Sequence, residues 1–210
     1  MMSRGVDDVE FEGLTARARI RAAALRQFAE VGYERATIRG IAECAGVSPG
    51  LVRHHFGSKA DLRAACDAYV AEALHRLNSQ LIDDPAAAAQ MQRSSRQFGQ
   101  YVARSLVEGS QTIGAIFDEM VTMTEQWIAR ADEHREDPPA VDRRIRAALV
   151  TAMAVGIPLL HEHVARALGA DMFSLEGDRL VGIALLDIYS HQLIDSGVAS
   201  AAAPGFQGGK

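Results

Sequence analysis

Between Thr37 and Lys59 the chain gathers groups that can hydrogen-bond anions and base edges: Thr37, Arg39, Ser48, Arg53, His54, His55 and Lys59. A guanidinium presents a planar fork of donors that matches two acceptors on a guanine edge. Hydroxyls, imidazoles and an ammonium can each donate to a phosphate oxygen. Ser48-Pro49-Gly50-Leu51 reads as a helix start, because serine is a good N-cap and proline at the first helical position loses no needed N–H. The backbone N–H groups from Ser48 to Gly50 would then meet a phosphate with the helix dipole behind them, and Gly50 would let another backbone approach closely. The sequence offers no arrangement of nucleophile and base, no HExxH and no CxxC. The chemistry on offer is binding rather than turnover.

Such groups act together only if two short helices are joined by a tight turn. Ala42 supplies the small residue at the helix crossing, Gly46 the residue that tolerates positive φ, and Ile38, Ile41, Val47, Val52 and Phe56 a small apolar core. Residues 37–56 therefore read as a helix-turn-helix, with a recognition helix at about 48–55 able to enter a major groove. Before it, a helix runs from an N-cap at Thr15 to Val31, with Gly32 as its stop and Ile20, Ala24, Phe28 and Val31 on one face. Arg17, Arg19 and Arg21 in its first turns oppose the helix dipole, which suggests an external anion such as a nucleic-acid backbone. Ser58 caps a fourth helix with Asp61 three residues on, and Leu62, Cys66, Tyr69, Ala73 and Leu77 form its stripe up to Asp83-Asp84-Pro85.

Further helices are expected at about 86–108, 110–135 (one helix or two), 140–168 with a kink at Pro158, and 178–195. The fold class is all-α. Domain 14–63 is the helix-turn-helix unit and 64–196 a helical bundle, with 1–13 and the Ala-, Gly- and Ser-rich 197–210 flexible. The 178–195 segment is apolar nearly all round, so it must be buried by the chain or by a partner. Packed with 140–168, it suggests a homodimer interface. Phe98, Tyr101, Phe117, Met120, Met123 and Trp127 are candidates for a small-molecule pocket, and they favour an apolar or aromatic ligand. No metal or other cofactor is expected. His161 and His163 stand two apart on a helix and point about 200° away from each other.

Bulk properties agree. Net charge is −5, yet residues 14–63 hold nine Lys or Arg against four Asp or Glu, leaving −10 on the rest. Such polarisation fits nucleic-acid contact at one end of the chain. The longest apolar run, Ala147 to Leu160, falls short of the ~20 residues of a membrane span, and the acidic N-terminus has no signal-peptide run. A cytoplasmic location is the default. Cys44 and Cys66 read as reduced, buried thiols on helices.

Over residues 14–63 the chain resembles the TetR/AcrR family of bacterial regulators, through Phe28, Gly32, Thr37, Ile41-Ala42, Ala45-Gly46-Val47-Ser48, Gly50, His55-Phe56, Lys59 and Leu62. The resemblance implies a homodimeric, sequence-specific DNA-binding regulator, usually a repressor released from a palindromic operator by a small-molecule ligand. By position it implies phosphate contacts from Thr37, His55 and Lys59, a contact from Arg39, and a groove-facing set of Pro49, Gly50, Leu51 and Arg53. Arg53 departs from the family's usual aromatic, and Gly40 from a stronger helix former. The alternative reading is a helical metal-binding protein or enzyme that keeps a helix-turn-helix as scaffold.

Overall fold

A computed structural model describes residues 14–81, 98–135, 138–191, 194 and 196–202. Every regular element among them is a helix. In chain order these are α1 (Ala16–Val31), α2 (Ile38–Cys44), α3 (Pro49–Phe56), α4 (Lys59–Leu81), α5 (98–107), α6 (Gln111–Asp132), α7 (Arg143–Leu159), α8 (His161–Leu168), α9 (Leu175–Ser190) and α10 (Ser196–Ala202).

The first four helices begin where side chains can replace missing backbone partners. Thr15 Oγ1 accepts from Ala18 N, Thr37 Oγ1 from Gly40 N and Ser48 Oγ from Leu51 N. At α4, Ser58 N and Oγ donate to Asp61 Oδ2 at 2.9 and 2.6 Å while Asp61 N donates back to Ser58 Oγ, a reciprocal capping box. Between α2 and α3, Gly46 at φ 63° lets Val47 N reach Ala42 O and Gly46 N reach Glu43 O, which closes α2 and turns the chain into α3.

The apolar core of the helix-turn-helix does not end at α4. Ile20, Phe28, Ile41 and Val52 are fully or almost fully buried in one cluster with Leu62, Cys66 and Val70 of α4, Phe98 and Tyr101 of α5, and Ile113 and Ile116 of α6. A polar knot sits within it. Asp67, buried on α4, accepts from Tyr101 Oη at 2.5 Å, Ser110 Oγ at 2.8 Å and Arg63 Nε at 3.2 Å. Burial pushes the Tyr101 phenol far above its ordinary range, which keeps it a donor, and pushes the Cys66 thiol up to about 12.

Three expectations change and one open alternative closes. The buried stripe of α4 is Leu62, Cys66, Val70 and Leu74, with Tyr69 and Ala73 half-buried beside it; the side chain of Leu77 lies outside the described residues. Helix α6 is unbroken. The 140–168 segment is two helices rather than one kinked helix, because Pro158 has no N–H for Ala154 O and α7 stops one residue later. Gly99 of α5 makes room for that proline: a Cβ there would lie 3.0 Å from Pro158 Cγ. Finally, residues 197–202 of the expected flexible tail belong to α10, in keeping with their alanines. Residues 1–13 and 203–210 lie outside the described set, as does 82–97, which held the start of the helix expected from 86.

The chain divides into two compact units, 1–160 and 161–210. In the second, Ser174 Oγ caps α9 by accepting from Gly177 N, and Gly177 is packed so closely under the preceding loop that a Cβ would lie 2.0 Å from Asp171 O. Most of α9 is uncovered: Ile183, Leu186, Ile188 and Tyr189 are all exposed.

Candidate nucleic-acid interface

The residues singled out on α2 and α3 lie where they can be reached. Thr37, Arg39, Ser48, Pro49, Gly50, Arg53 and His54 are exposed, and Leu51 and His55 are half-buried. Val52 and Phe56 take the opposite side of α3 into the core. Among the described residues no hydrogen bond or ion pair holds the guanidinium of Arg39 or Arg53. Both forks are therefore free to meet an external acceptor.

The cap hydroxyls have capacity for a second partner. A hydroxyl has one donor and two lone pairs. Thr37 and Ser48 spend a lone pair on their own helices, which leaves each O–H directed by the cap and available to a phosphate oxygen.

Two glycines here have different reasons. A Cβ on Gly40 would meet Thr37 Oγ1 at 3.3 Å, so glycine keeps the cap of α2 unobstructed at the cost of helix propensity. A Cβ on Gly50 would meet nothing nearer than Ser48 Oγ at 3.8 Å. The fold therefore has no steric need for glycine at 50.

The N-terminal arginines of α1 do not act together. Arg19 points about 200° away from each of the other two, whereas Arg17 and Arg21, four residues apart, share a face but reach different rings. Arg17 is exposed, with its guanidinium 5.4 Å from the Phe56 ring at the end of α3. Arg21 lies 3.8 Å over the Tyr69 ring, and Arg19 is half-buried with Nε unpaired. An external anion remains an explanation for Arg17; Arg21 has an internal partner.

Lys59 is also engaged. Its Nζ donates to Ala36 O at 2.9 Å and Glu34 O at 3.3 Å, and it sits 4.3 Å over the Tyr33 ring. Sequence reasoning missed the neighbours of this contact. Tyr33 N donates to Glu108 Oε1, and Arg63 Nη1 donates to Glu108 Oε2 at 2.9 Å. The spacing of Arg63 and Asp67 was visible as an i, i+4 pair, but nothing local links Tyr33 to a carboxylate 75 positions away.

The six pocket candidates separate. Phe98 and Tyr101 are buried in the shared core, Phe98 edge-on to Tyr69 and Tyr101 tied to Asp67. On α6, Met123 is buried, Phe117 and Met120 are half-buried and Trp127 is 42% exposed. Near them a buried Thr151 Oγ1 donates to Thr124 Oγ1 across the α6–α7 contact. The histidines are scattered: His161 packs against Phe173, and His191 lies beside Asp187. Among the described residues no three His, Cys, Asp or Glu side chains are grouped to hold a metal ion. Cys66 is buried and Cys44 half-buried, its Sγ accepting from Arg26 Nη2.

Comparison with known proteins agrees with this architecture. Residues 20–66 match the family described as bacterial regulatory proteins, tetR family, and residues 94–194 match the tetracyclin repressor-like C-terminal domain. The HTH-type transcriptional regulatory protein RaaS of Mycobacterium tuberculosis is 37% identical over 153 residues, 70% of this chain and 72% of that protein. The HTH-type transcriptional repressor AcnR of Corynebacterium glutamicum is 49% identical over 47 residues, 22% of this chain and 25% of its own length. Among solved structures, a TetR transcriptional regulator from Legionella pneumophila superposes with a TM-score of 0.58 at 16% identity, covering 83% of this chain and 98% of that one. A gamma-butyrolactone receptor (ArpA-like protein) gives 0.57 at 22% identity, covering 70% and 80%. No single helix among the described residues is long and apolar enough to cross a membrane. With a helix-turn-helix of this geometry and relatives at this coverage, the chain belongs to the TetR family and is a DNA-binding transcriptional regulator.

Proposed function

We propose that the protein is a homodimeric repressor that holds a palindromic operator through α2 and α3 and leaves it when an apolar or aromatic small molecule binds the C-terminal helices. The observation that carries the DNA side is the outer face of α3. Arg53 and His54 are exposed there, with the capped N-terminus at Ser48, Pro49 and Gly50 beside them. Arg53 reads a base edge, Arg17, Thr37, Arg39 and Ser48 fix the backbone, and His54 and His55 add phosphate contacts.

Dimerisation through 140–168 and 178–195 is supported by apolar side chains left in solvent. Ile145, Leu149 and Met153 follow one another every fourth residue along α7, at 53–62% exposure, and α9 is similarly bare. On α6, Phe117, Met120, Met123 and Trp127 suit an apolar effector, since Met adapts to varied shapes. The AcnR relative, similar over 47 residues, is named a repressor.

Selection from a random duplex library by the purified protein tests this reading. A twofold-symmetric sequence should emerge, bound with an affinity that falls linearly in log salt at about 0.9 per neutralised phosphate. A library returned without any preferred symmetric site would end the proposal. Trp127 is the chain's single tryptophan, so compounds that release the operator should change its emission.

A further inference from the structure

We propose that Lys59 is a positioning residue rather than a phosphate ligand: its ammonium clamps the 33–36 loop and so sets the Thr37 cap against DNA. The inference rests on the operator-binding reading above but departs from the role that the family resemblance implies for this lysine.

The geometry leaves the ammonium little for DNA. Of its three donors, one bonds Ala36 O at 2.9 Å and another Glu34 O at 3.3 Å. Its charge lies 4.3 Å from the centre of the Tyr33 ring, within the range of a cation–π contact. One turn further along α4, Arg63 lies 5.5 Å from the same ring and reaches Glu108, whose other oxygen accepts from Tyr33 N. Two cations on one helix face thus engage a loop of four residues, one through its carbonyls and both at the Tyr33 ring.

That loop leads directly into α2. Ala36 is buried, and the next residue, Thr37, caps α2 through Gly40 N at 3.0 Å. The Thr37 hydroxyl can meet a phosphate only if the carbonyls of 34 and 36 stay where Lys59 holds them. A salt-steered contact and a clamp differ in what they do to the salt dependence. A lysine that neutralises a phosphate contributes about 0.9 to the slope of log affinity against log salt per subunit, whereas a clamp contributes to affinity and leaves the slope alone.

The test uses the full chain and a palindromic duplex selected by the wild-type protein. Lys59→Met should weaken binding tenfold or more with the salt slope unchanged. In the free protein, exchange of the Gly40 amide should accelerate tenfold or more while amides of the α1 core keep their protection. Thr37→Ala should cost at least threefold less in the Lys59→Met background than in wild type, because the two residues act in series. A slope lowered by about 0.9 per subunit, an unchanged Gly40 amide, or an equal Thr37→Ala cost in both backgrounds overturns the proposal. Lys59→Gln, which keeps an amide donor on a shorter stem, carries the same measurements if the methionine variant does not fold. The exchange arm needs no DNA, so it decides the clamp even if no operator is found.

Discussion

Gly50 is a residue at which the needs of the fold and of the proposed binding can be tested apart. Its Cβ position is open, with the nearest side-chain atom at 3.8 Å, and its φ lies outside the left-handed region. Gly50→Ala should therefore leave the melting temperature unchanged or raise it, since alanine in a helix is better than glycine by about 0.5–1 kcal/mol. Operator affinity should fall at the same time. A variant that melts lower than wild type would show that the glycine serves the fold after all. Arg53 makes the complementary case. Arg53→Ala should cost about 1–3 kcal/mol of operator affinity and relax base preference at one position per half-site, read by repeating the selection. The exposure of both residues on a capped helix was legible in the sequence because their surroundings are local: a cap, a proline and a short amphipathic turn. The contacts of Lys59 were not, because its type and position say nothing of which carbonyls it reaches 23 and 25 residues earlier.

At the scale of elements, helix starts were the most readable feature. Thr15, Thr37, Ser48 and Ser58 each cap within three residues, so the information is contained in the stretch that uses it. Where an element's shape depends on packing elsewhere, sequence reasoning fell short. Pro158 was expected to bend one long helix, but its ring packs against Gly99 and the helix ends. The α6–α7 connection shows a contact that no motif announces. Asp132 near the end of α6 accepts from Arg146 Nη2 at 2.6 Å and from Arg143 Nε at 3.3 Å, and these arginines hold its pKa at about 2. A carboxylate depressed on folding adds stability that is fully present above its unfolded value, ~3.9, and is lost as pH falls through the folded one. Wild type should thus melt higher than Asp132→Asn by a constant margin above pH ~4, with the gap closing toward pH ~2. A margin independent of pH down to ~2 would mean that the charge of Asp132 does not matter.

At the scale of the whole molecule, the all-helical class and the DNA-binding end were legible from periodicity and from nine basic against four acidic residues in 14–63. The pocket was not. Phe98 and Tyr101 have the composition of ligand-lining residues, but tertiary packing spends them in the core, and Tyr101 is fixed by Asp67. Assembly is the next expectation. Leu186 is 72% exposed on α9, and Leu186→Glu should convert the dimer to monomer by sedimentation at micromolar concentration and weaken operator binding with it. A Leu186→Glu protein that sediments as wild type would place the dimer contact elsewhere.

The unbroken core from Ile20 through Ile116 has a practical consequence. Regulators of this kind invite engineering by exchange, one protein's reader joined to another's sensor. Here a junction at residue 63 would pass between Leu62 and Cys66, both buried without exposure, and would strand Arg63 from Asp67 and Glu108. A hybrid that keeps its grip on DNA must carry α4, α5 and the first turns of α6 along with the reader, so the portable piece of this protein is roughly twice the length that the motif suggests.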